Sequence, residues 1–201
     1  MHPSFRCVRN CLTDEIGQMD IKNTKHGYGV AARFLHWFMA LAIFAMFGLG
    51  LWIDSLSLYN PWYKTAPFLH KSFGIMLFFM LVARLLWRLV NPQPDDSHLT
   101  RLEQVLSHVT HIGFYVLLVV LMIAGYLIST AGGRPIEVFN LFSVPSFYQQ
   151  KGLEDVAGFV HEILAFGIIG LAVVHAAAAL KHHFIDRDVT LTRMWRGKSQ
   201  N

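Results

Sequence analysis

Long apolar stretches separated by short polar connections dominate this chain. Three runs contain no Asp, Glu, Lys or Arg, and they cover positions 34–53, 104–133 and 163–180. A fourth apolar stretch, 66–90, is interrupted only by three basic residues near its ends. Because about 20 mostly apolar residues are needed to cross a bilayer as a helix, the pattern predicts four spanning helices and leaves no room for a fifth.

Turn residues set the expected bounds of these helices. We predict helices over residues 30–53, 68–90, about 108–130, and 156–184. The Asn-Pro-Gln-Pro sequence at 91–94 ends the second helix, and Gly-Gly-Arg-Pro at 132–135 ends the third. We expect residues 98–107 to form an interfacial prelude to the third helix. The aromatic connection 131–155 should lie in the outer interface as short amphipathic pieces.

The distribution of Lys and Arg predicts the orientation. Of the 17 basic residues, 13 lie in segments 1–33, 84–111 and 181–201. Connections rich in Lys and Arg face the cytoplasm. The expected fold is therefore an all-α membrane protein, a four-helix transmembrane bundle with both termini cytoplasmic.

Composition supports the membrane class and argues against a nucleic-acid-binding protein. The chain is 54% hydrophobic and 15% charged, whereas soluble domains carry about 25% charged residues. The basic pI of about 9.2 follows from the cytoplasmic excess of Lys and Arg. The sequence contains no basic stripe with interleaved aromatic residues, so we expect lipid and no nucleic acid as a partner.

The N-terminal tail carries little chemical information. Residues 1–26 are polar and lack the apolar stretch of a signal peptide, and we hypothesise that translation starts at Met19. Cys7 and Cys11 do not form a C-x-x-C-H motif, since Leu12 follows the second cysteine. The pair therefore offers no motif for the covalent attachment of a prosthetic group, and the role of the two thiols stays open.

Four histidines lie inside or at the edge of the predicted spanning helices. Depth pairs His36 with His175 near the cytoplasmic side and His70 with His161 near the outer side. An imidazole in the bilayer is costly without a partner, so each is a candidate functional residue. The spacing from His161 to His175 is close to four helical turns, which on one helix is about 21 Å, with the two side chains within about 40° of one face.

Each pair comes from two helices, as a haem sandwiched between helices requires. Iron with two histidine ligands has no open axial position, which suits electron transfer rather than oxygen binding. The alternatives are polar contacts between helices, or a path for protons or metal ions. A transition-metal transporter would need acidic partners within the membrane, and Glu162 alone lies near a helix interior.

Two glycines and two arginines fall on the histidine-bearing faces. Gly50 follows His36 by the same four-turn spacing, which puts it at the depth of the outer pair, and Gly74 is one turn after His70; a missing side chain would let a haem approach the helix. Arg84 and Arg88 return to the face of His70 at the cytoplasmic surface, where they are candidates to pair with haem propionates. Close helix packing and cytoplasmic placement of arginine are the alternatives.

Other histidines are weaker candidates. His108 and His111, and likewise His182 and His183, lie near cytoplasmic helix ends, where they could meet quinone head groups, propionates or only water.

Several short motifs together resemble a known family. They are RFLHW at 33–37, LHKSFG at 69–74, RLLWR at 84–88, HEILA at 161–165 and HAAAALKHHF at 175–184. This set resembles the bacterial cytochrome b561 family, which shares its four-helix fold with the cytochrome b subunits of nickel hydrogenases. The resemblance covers about residues 27–196, so we expect a membrane domain there, after a polar tail at 1–26 and before a polar end at 197–201.

The resemblance implies a multi-pass protein of the bacterial inner membrane with two non-covalent haem b groups, axially held by His36 with His175 and by His70 with His161. Similar members oxidise superoxide at the outer face and reduce ubiquinone. The outer face here carries four basic residues that could draw in a small anion: Lys64, Lys71, Arg134 and Lys151. The alternative is a membrane-anchor cytochrome b subunit that relays electrons between a hydrogenase or dehydrogenase partner and the quinone pool. Whether the chain is itself an enzyme stays open, as do the donor, the quinone site, the haem potentials and the oligomeric state.

Overall fold

Four long helices form the bundle in a computed structural model that describes residues 21–197. They are α1 (Val30–Asp54), α2 (Thr65–Val90), α3 (Arg101–Thr130) and α4 (Leu153–Phe184). All four are long and apolar enough to cross a membrane, and most of their large apolar side chains are exposed on the outside of the bundle. The predicted four-helix membrane fold is confirmed. Met19, Cys7 and Cys11 lie outside the described residues.

Three helices, α2, α3 and α4, begin earlier than the sequence pattern predicts, and α4 does so by one turn. In α2 the first turn includes Pro67, a position where the missing N–H costs no hydrogen bond. The predicted interfacial prelude is instead the first two turns of α3. The Thr100 hydroxyl accepts a hydrogen bond from the Glu103 amide, and the Glu103 carboxylate accepts one from the Thr100 amide. This capping box starts the helix at Arg101.

Three segments meet at one end of the bundle, here called the terminal end: residues 21–29, the α2–α3 connection and the short helix α5 (Thr190–Arg196). The Asn23 amide donates to the Pro92 carbonyl at 3.0 Å. Arg33 of α1 donates to the Trp195 carbonyl of α5 at 2.9 Å. These are the segments expected on the cytoplasmic side, and that side of the membrane stays a prediction.

The opposite end, here called the hairpin end, carries a two-stranded antiparallel hairpin, β1 (Ile136–Val138) and β2 (Phe142–Val144). The connection expected to form amphipathic pieces folds this way because it docks on α2. The hydroxyl of Ser72, fully buried, donates to the Glu137 carbonyl at 3.3 Å and accepts from the Phe139 amide at 3.1 Å.

A small apolar core fills the middle of the bundle. Met39, Leu81, Leu118 and Ile168, one from each long helix, pack together and are at most 5% exposed. Ile168 is midway between His161 and His175 on α4. The apolar layer therefore separates the two histidine-bearing ends of that helix.

Candidate functional site

The first histidine pair joins α1 to α4 near the terminal end. The rings of His36 and His175 have centroids 6.3 Å apart and planes inclined by 57°. Two rings of α3 border this pair: those of His111 and Phe114, each with its centroid 5.6 Å from that of His175. Helices α1, α3 and α4 thus contribute aromatic rings to the site.

The second pair joins α2 to α4 near the hairpin end. The ring centroids of His70 and His161 are also 6.3 Å apart, with an interplanar angle of 68°. The structure thus brings together the same two pairs that depth suggests. Their role as iron ligands stays a prediction.

Both pairs have the separation that one shared metal ion needs. A metal bonded at about 2 Å to one nitrogen of each ring, on opposite sides of the metal, holds the ring centroids roughly 6 Å apart. Direct contact between stacked rings would bring them closer. Two facing imidazoles from different helices are the donor set of a six-coordinate haem iron, so the residues present fit the cofactor that the sequence predicts.

The hydrogen bonds around the second pair leave a ring nitrogen of each histidine available to a metal. His161 donates its Nδ1 hydrogen to the Leu121 carbonyl of α3 at 2.9 Å. A neutral imidazole carries one donor and one acceptor nitrogen, so Nε2 of His161 keeps its lone pair for a metal. In His70, Nδ1 is buried and has no hydrogen-bond partner within residues 21–197.

The first pair carries an additional basic group. Arg84 of α2 donates from its guanidinium to Nδ1 of His36 at 2.8 Å, and a second nitrogen lies 3.4 Å from the Leu35 carbonyl. Since arginine only donates, Nδ1 of a neutral His36 is the acceptor and Nε2 holds the proton. Metal binding through Nε2 with a protonated Nδ1 therefore requires the guanidinium to leave Nδ1, for instance for a cofactor carboxylate.

A cleft at the terminal end could receive such a carboxylate. Its polar lining includes Tyr28, Arg84, Arg88 and His111. The indole Nε1 of Trp87, a further lining residue, is buried without a hydrogen-bond partner among the described residues. Burial raises the pKa of Tyr28, so its phenol stays a neutral donor. Two guanidiniums and several donors suit an anionic group.

The two predicted glycines differ in their surroundings. A Cβ added to Gly50 would lie 3.5 Å from Cε1 of His70, so Gly50 of α1 does face the second pair. A Cβ on Gly74 would meet only the end of Met46, at 3.9 Å. A side chain at Gly74 would therefore meet none of the four histidine rings.

Sequence reasoning missed Gly125 of α3. A Cβ there would lie only 2.9 Å from Cε1 and 3.1 Å from Nδ1 of His161. Because α3 carries none of the four histidines, no four-turn spacing from a ligand pointed to this glycine. A glycine inside the predicted third helix was the available signal, and Gly125 shares it with Gly113.

A second polar cluster lies beyond the bundle at the terminal end. His182 Nδ1 is 3.0 Å from Asp186 and 2.9 Å from Asp188. Lys181 Nζ bridges Glu103 of α3 and Asp186 at 3.0 and 2.8 Å. The lysine already supplies the positive charge between these carboxylates, so the cluster is an ion-pair network that joins the start of α3 to the end of α4.

Comparison with known proteins places these features in one family. Residues 27–197 match the model for prokaryotic cytochrome b561. The chain is similar to cytochrome b561 homolog 2 of Escherichia coli K12, with 46% identity over 188 residues, 91% of this chain and 98% of that protein. It is also 32% identical over 165 residues to a probable superoxide oxidase CybB of Yersinia pestis, covering 80% of this chain and 90% of that protein.

Proposed function

Because this chain belongs to the prokaryotic cytochrome b561 family, and so is a multi-pass membrane electron-transfer protein, we propose that it is a di-haem b-type cytochrome that passes electrons from superoxide at the outer face to ubiquinone. The family implies b-type haem. The proposal includes the number of haems, the electron donor, the electron acceptor and the placement in the inner membrane. It also includes the domain bounds 1–26, 27–196 and 197–201.

One observation carries the proposal of two haems. Two histidine pairs, each spanning two helices and each with a centroid separation of 6.3 Å, lie toward opposite ends of the same bundle. A single haem would need only one pair. With two pairs, the chain offers a redox site near each membrane surface.

The chain's own residues hold and insulate these sites. Bound haem would supply one-electron chemistry at each histidine pair. His36 with His175 and His70 with His161 would hold the iron of each haem, and Arg84 and Arg88 would neutralise its anionic substituents at the terminal end. Gly50 lets a planar group approach α1.

The apolar core favours electron transfer over ion transport. A path for protons or metal ions through the membrane needs polar groups along its length. Between the two histidine pairs, the described residues form a buried cluster that is apolar throughout: Met39, Leu81, Leu118 and Ile168. Electrons can cross such a layer, whereas ions cannot, which argues against a transporter without haem.

Superoxide as donor is supported by the similarity to the Yersinia pestis protein and by simple stoichiometry. Two superoxide anions lose one electron each and become two molecules of oxygen. One ubiquinone gains both electrons and two protons and becomes ubiquinol. Haems that carry one electron at a time suit this conversion, because each superoxide gives one electron and the quinone accepts two.

The alternative is an electron conduit for a partner oxidoreductase. It would use the same histidines, so the ligands cannot separate the two functions. The exposed aromatic side chains of Phe147 and Tyr148 at the hairpin end are compatible either with lipid or with a partner subunit.

The first test is the ratio of haem to chain in purified protein, from a pyridine haemochrome spectrum and quantitative amino-acid analysis. Two haems per chain with a b-type reduced spectrum support the proposal. One haem would contradict the role of one histidine pair, and none, after expression with ample haem, would contradict the cytochrome function.

The donor is tested by rapid mixing of the oxidised protein with superoxide, followed by addition of ubiquinone. Haem reduction near the diffusion limit, about 10⁸–10⁹ M⁻¹s⁻¹, and reoxidation by the quinone support the superoxide function. Slow reduction by superoxide but fast reduction by a co-purified oxidoreductase would support the conduit.

A further inference from the structure

The surroundings of His161 assign a positioning role to Gly125, which rests on the proposed haem ligation by His161. We propose that the missing side chain at Gly125 lets the His161 ring lie against α3 and donate its Nδ1 hydrogen to the Leu121 carbonyl. This contact would set the orientation and the basicity of the ligand, and thereby lower the reduction potential of the haem at the His70/His161 pair.

Two distances exclude a side chain at this position. A Cβ on residue 125 would lie 2.9 Å from Cε1 and 3.1 Å from Nδ1 of His161. The first is shorter than carbon atoms tolerate without a shift. Either the ring or α3 would have to move, and the 2.9 Å bond from Nδ1 to the Leu121 carbonyl would change with it.

The helix geometry explains why glycine exposes that carbonyl. Leu121 is one turn before Gly125 in α3. A helical side chain covers the turn on the N-terminal side of its own Cα, so a side chain at 125 would cover the Leu121 carbonyl. The carbonyl has a second lone pair beyond its helical hydrogen bond, and glycine leaves it open to the imidazole of α4.

The contact has a predictable electronic effect. A hydrogen bond from the non-ligating nitrogen to a carbonyl fixes the tautomer and makes the ligating nitrogen more basic. A more basic ligand stabilises ferric over ferrous iron, which lowers the potential. The first pair has a different arrangement, since Nδ1 of His36 faces the Arg84 guanidinium.

The test compares Gly125→Ala with Gly113→Ala in the full chain. Gly113 lies on the same helix, and a Cβ there would be an ordinary 4.0 Å from Leu171. Potentiometric titrations followed by optical and electron paramagnetic resonance spectra should show a raised potential and an altered low-spin signal for one haem in Gly125→Ala. The other haem, and both haems of Gly113→Ala, should be unchanged. Unchanged potentials in a Gly125→Ala protein that holds two haems would overturn the proposal.

A measurement on the unsubstituted protein covers the case in which Gly125→Ala does not fold. In NMR spectra of the reduced, diamagnetic protein with ¹⁵N-labelled histidine, the signal of the Nδ1 hydrogen of His161 should show slow exchange with water. The same signal should be absent from the spectrum of His161→Ala. Fast exchange would overturn the positioning role. A His161→Ala protein that retains both haems would instead contradict the proposed ligation itself.

Discussion

Arg84 places a guanidinium nitrogen 2.8 Å from Nδ1 of His36, although the two residues belong to different helices. The contact puts a fixed positive charge beside one histidine pair and beside the cleft that contains Arg88 and His111. A cation at this position stabilises electrons on a nearby redox group and attracts carboxylates.

Replacing Arg84 by Gln should therefore affect one site only. Charge-assisted hydrogen bonds contribute about 1.5–3 kcal/mol each, so haem affinity at the His36/His175 pair should fall roughly ten- to hundredfold, and the potential of that haem should fall. Haem titration and potentiometry measure both effects. Arg101→Gln, which removes an exposed arginine at the start of α3, is the matched control. Equal effects of the two variants would refute a specific role for Arg84.

The histidine pairing predicts which substitutions give the same result. His70→Ala and His161→Ala should each remove the same haem, and His36→Ala and His175→Ala should each remove the other. The ratio of haem to chain should fall from about two to about one in every case, because loss of one axial ligand weakens one site. Low-temperature optical spectra distinguish the two haems. If His70→Ala and His36→Ala removed the same haem, the pairing would be wrong.

The hydroxyl of Ser72 should hold the hairpin on α2. Ser72→Ala leaves the half-buried Phe139 amide without its 3.1 Å partner, a loss worth about 1–3 kcal/mol. Hydrogen–deuterium exchange over residues 136–144 should accelerate in this variant, while α3 exchanges as before. Ser143→Ala, on the exposed side of β2, should leave the rates unchanged. Equal protection in both variants would show that the hairpin does not depend on Ser72.

The apolar core should determine stability but not cofactor binding. Ile168 is 1% exposed, so Ile168→Ala should lower the free energy of unfolding by about 2–5 kcal/mol, with unchanged haem content. Val174→Ala on the same helix, at a side chain 65% exposed, should have little effect in detergent. Thermal denaturation of both variants gives the comparison, and loss of haem from Ile168→Ala at low temperature would contradict it.

Attraction of superoxide should depend on Lys71 rather than on the total charge of the hairpin end. The four basic residues there are opposed by the exposed carboxylates of Asp54, Glu137, Glu154 and Asp155, so the end has no excess of positive charge. Lys71 directly follows His70. Lys71→Gln should lower the second-order rate of haem reduction by superoxide and flatten its salt dependence, whereas Lys151→Gln should do neither. A salt-independent rate in the unsubstituted protein would contradict electrostatic attraction.

The sequence by itself determined the four helices and the four histidines as candidate ligands. Uncharged runs as long as 34–53 and 104–133 have few alternatives to a spanning helix. The four-turn spacing on a regular helix places His161 and His175 without any tertiary information. The same spacing predicted that Gly50 lies at the depth of His70. In the structure, a Cβ on Gly50 would lie 3.5 Å from Cε1 of His70.

Only the tertiary structure decided which groups surround each histidine. Gly125 and the Leu121 carbonyl belong to a helix without a ligand, and their position against His161 depends on how α3 packs on α4. The contact between Arg84 and His36 depends on the rotation of α2 against α1. The position of the hairpin against α2 depends on contacts between distant segments, among them the two hydrogen bonds of Ser72. Helical periodicity determines the position of a residue along its own helix, whereas contacts between helices depend on packing across the whole bundle.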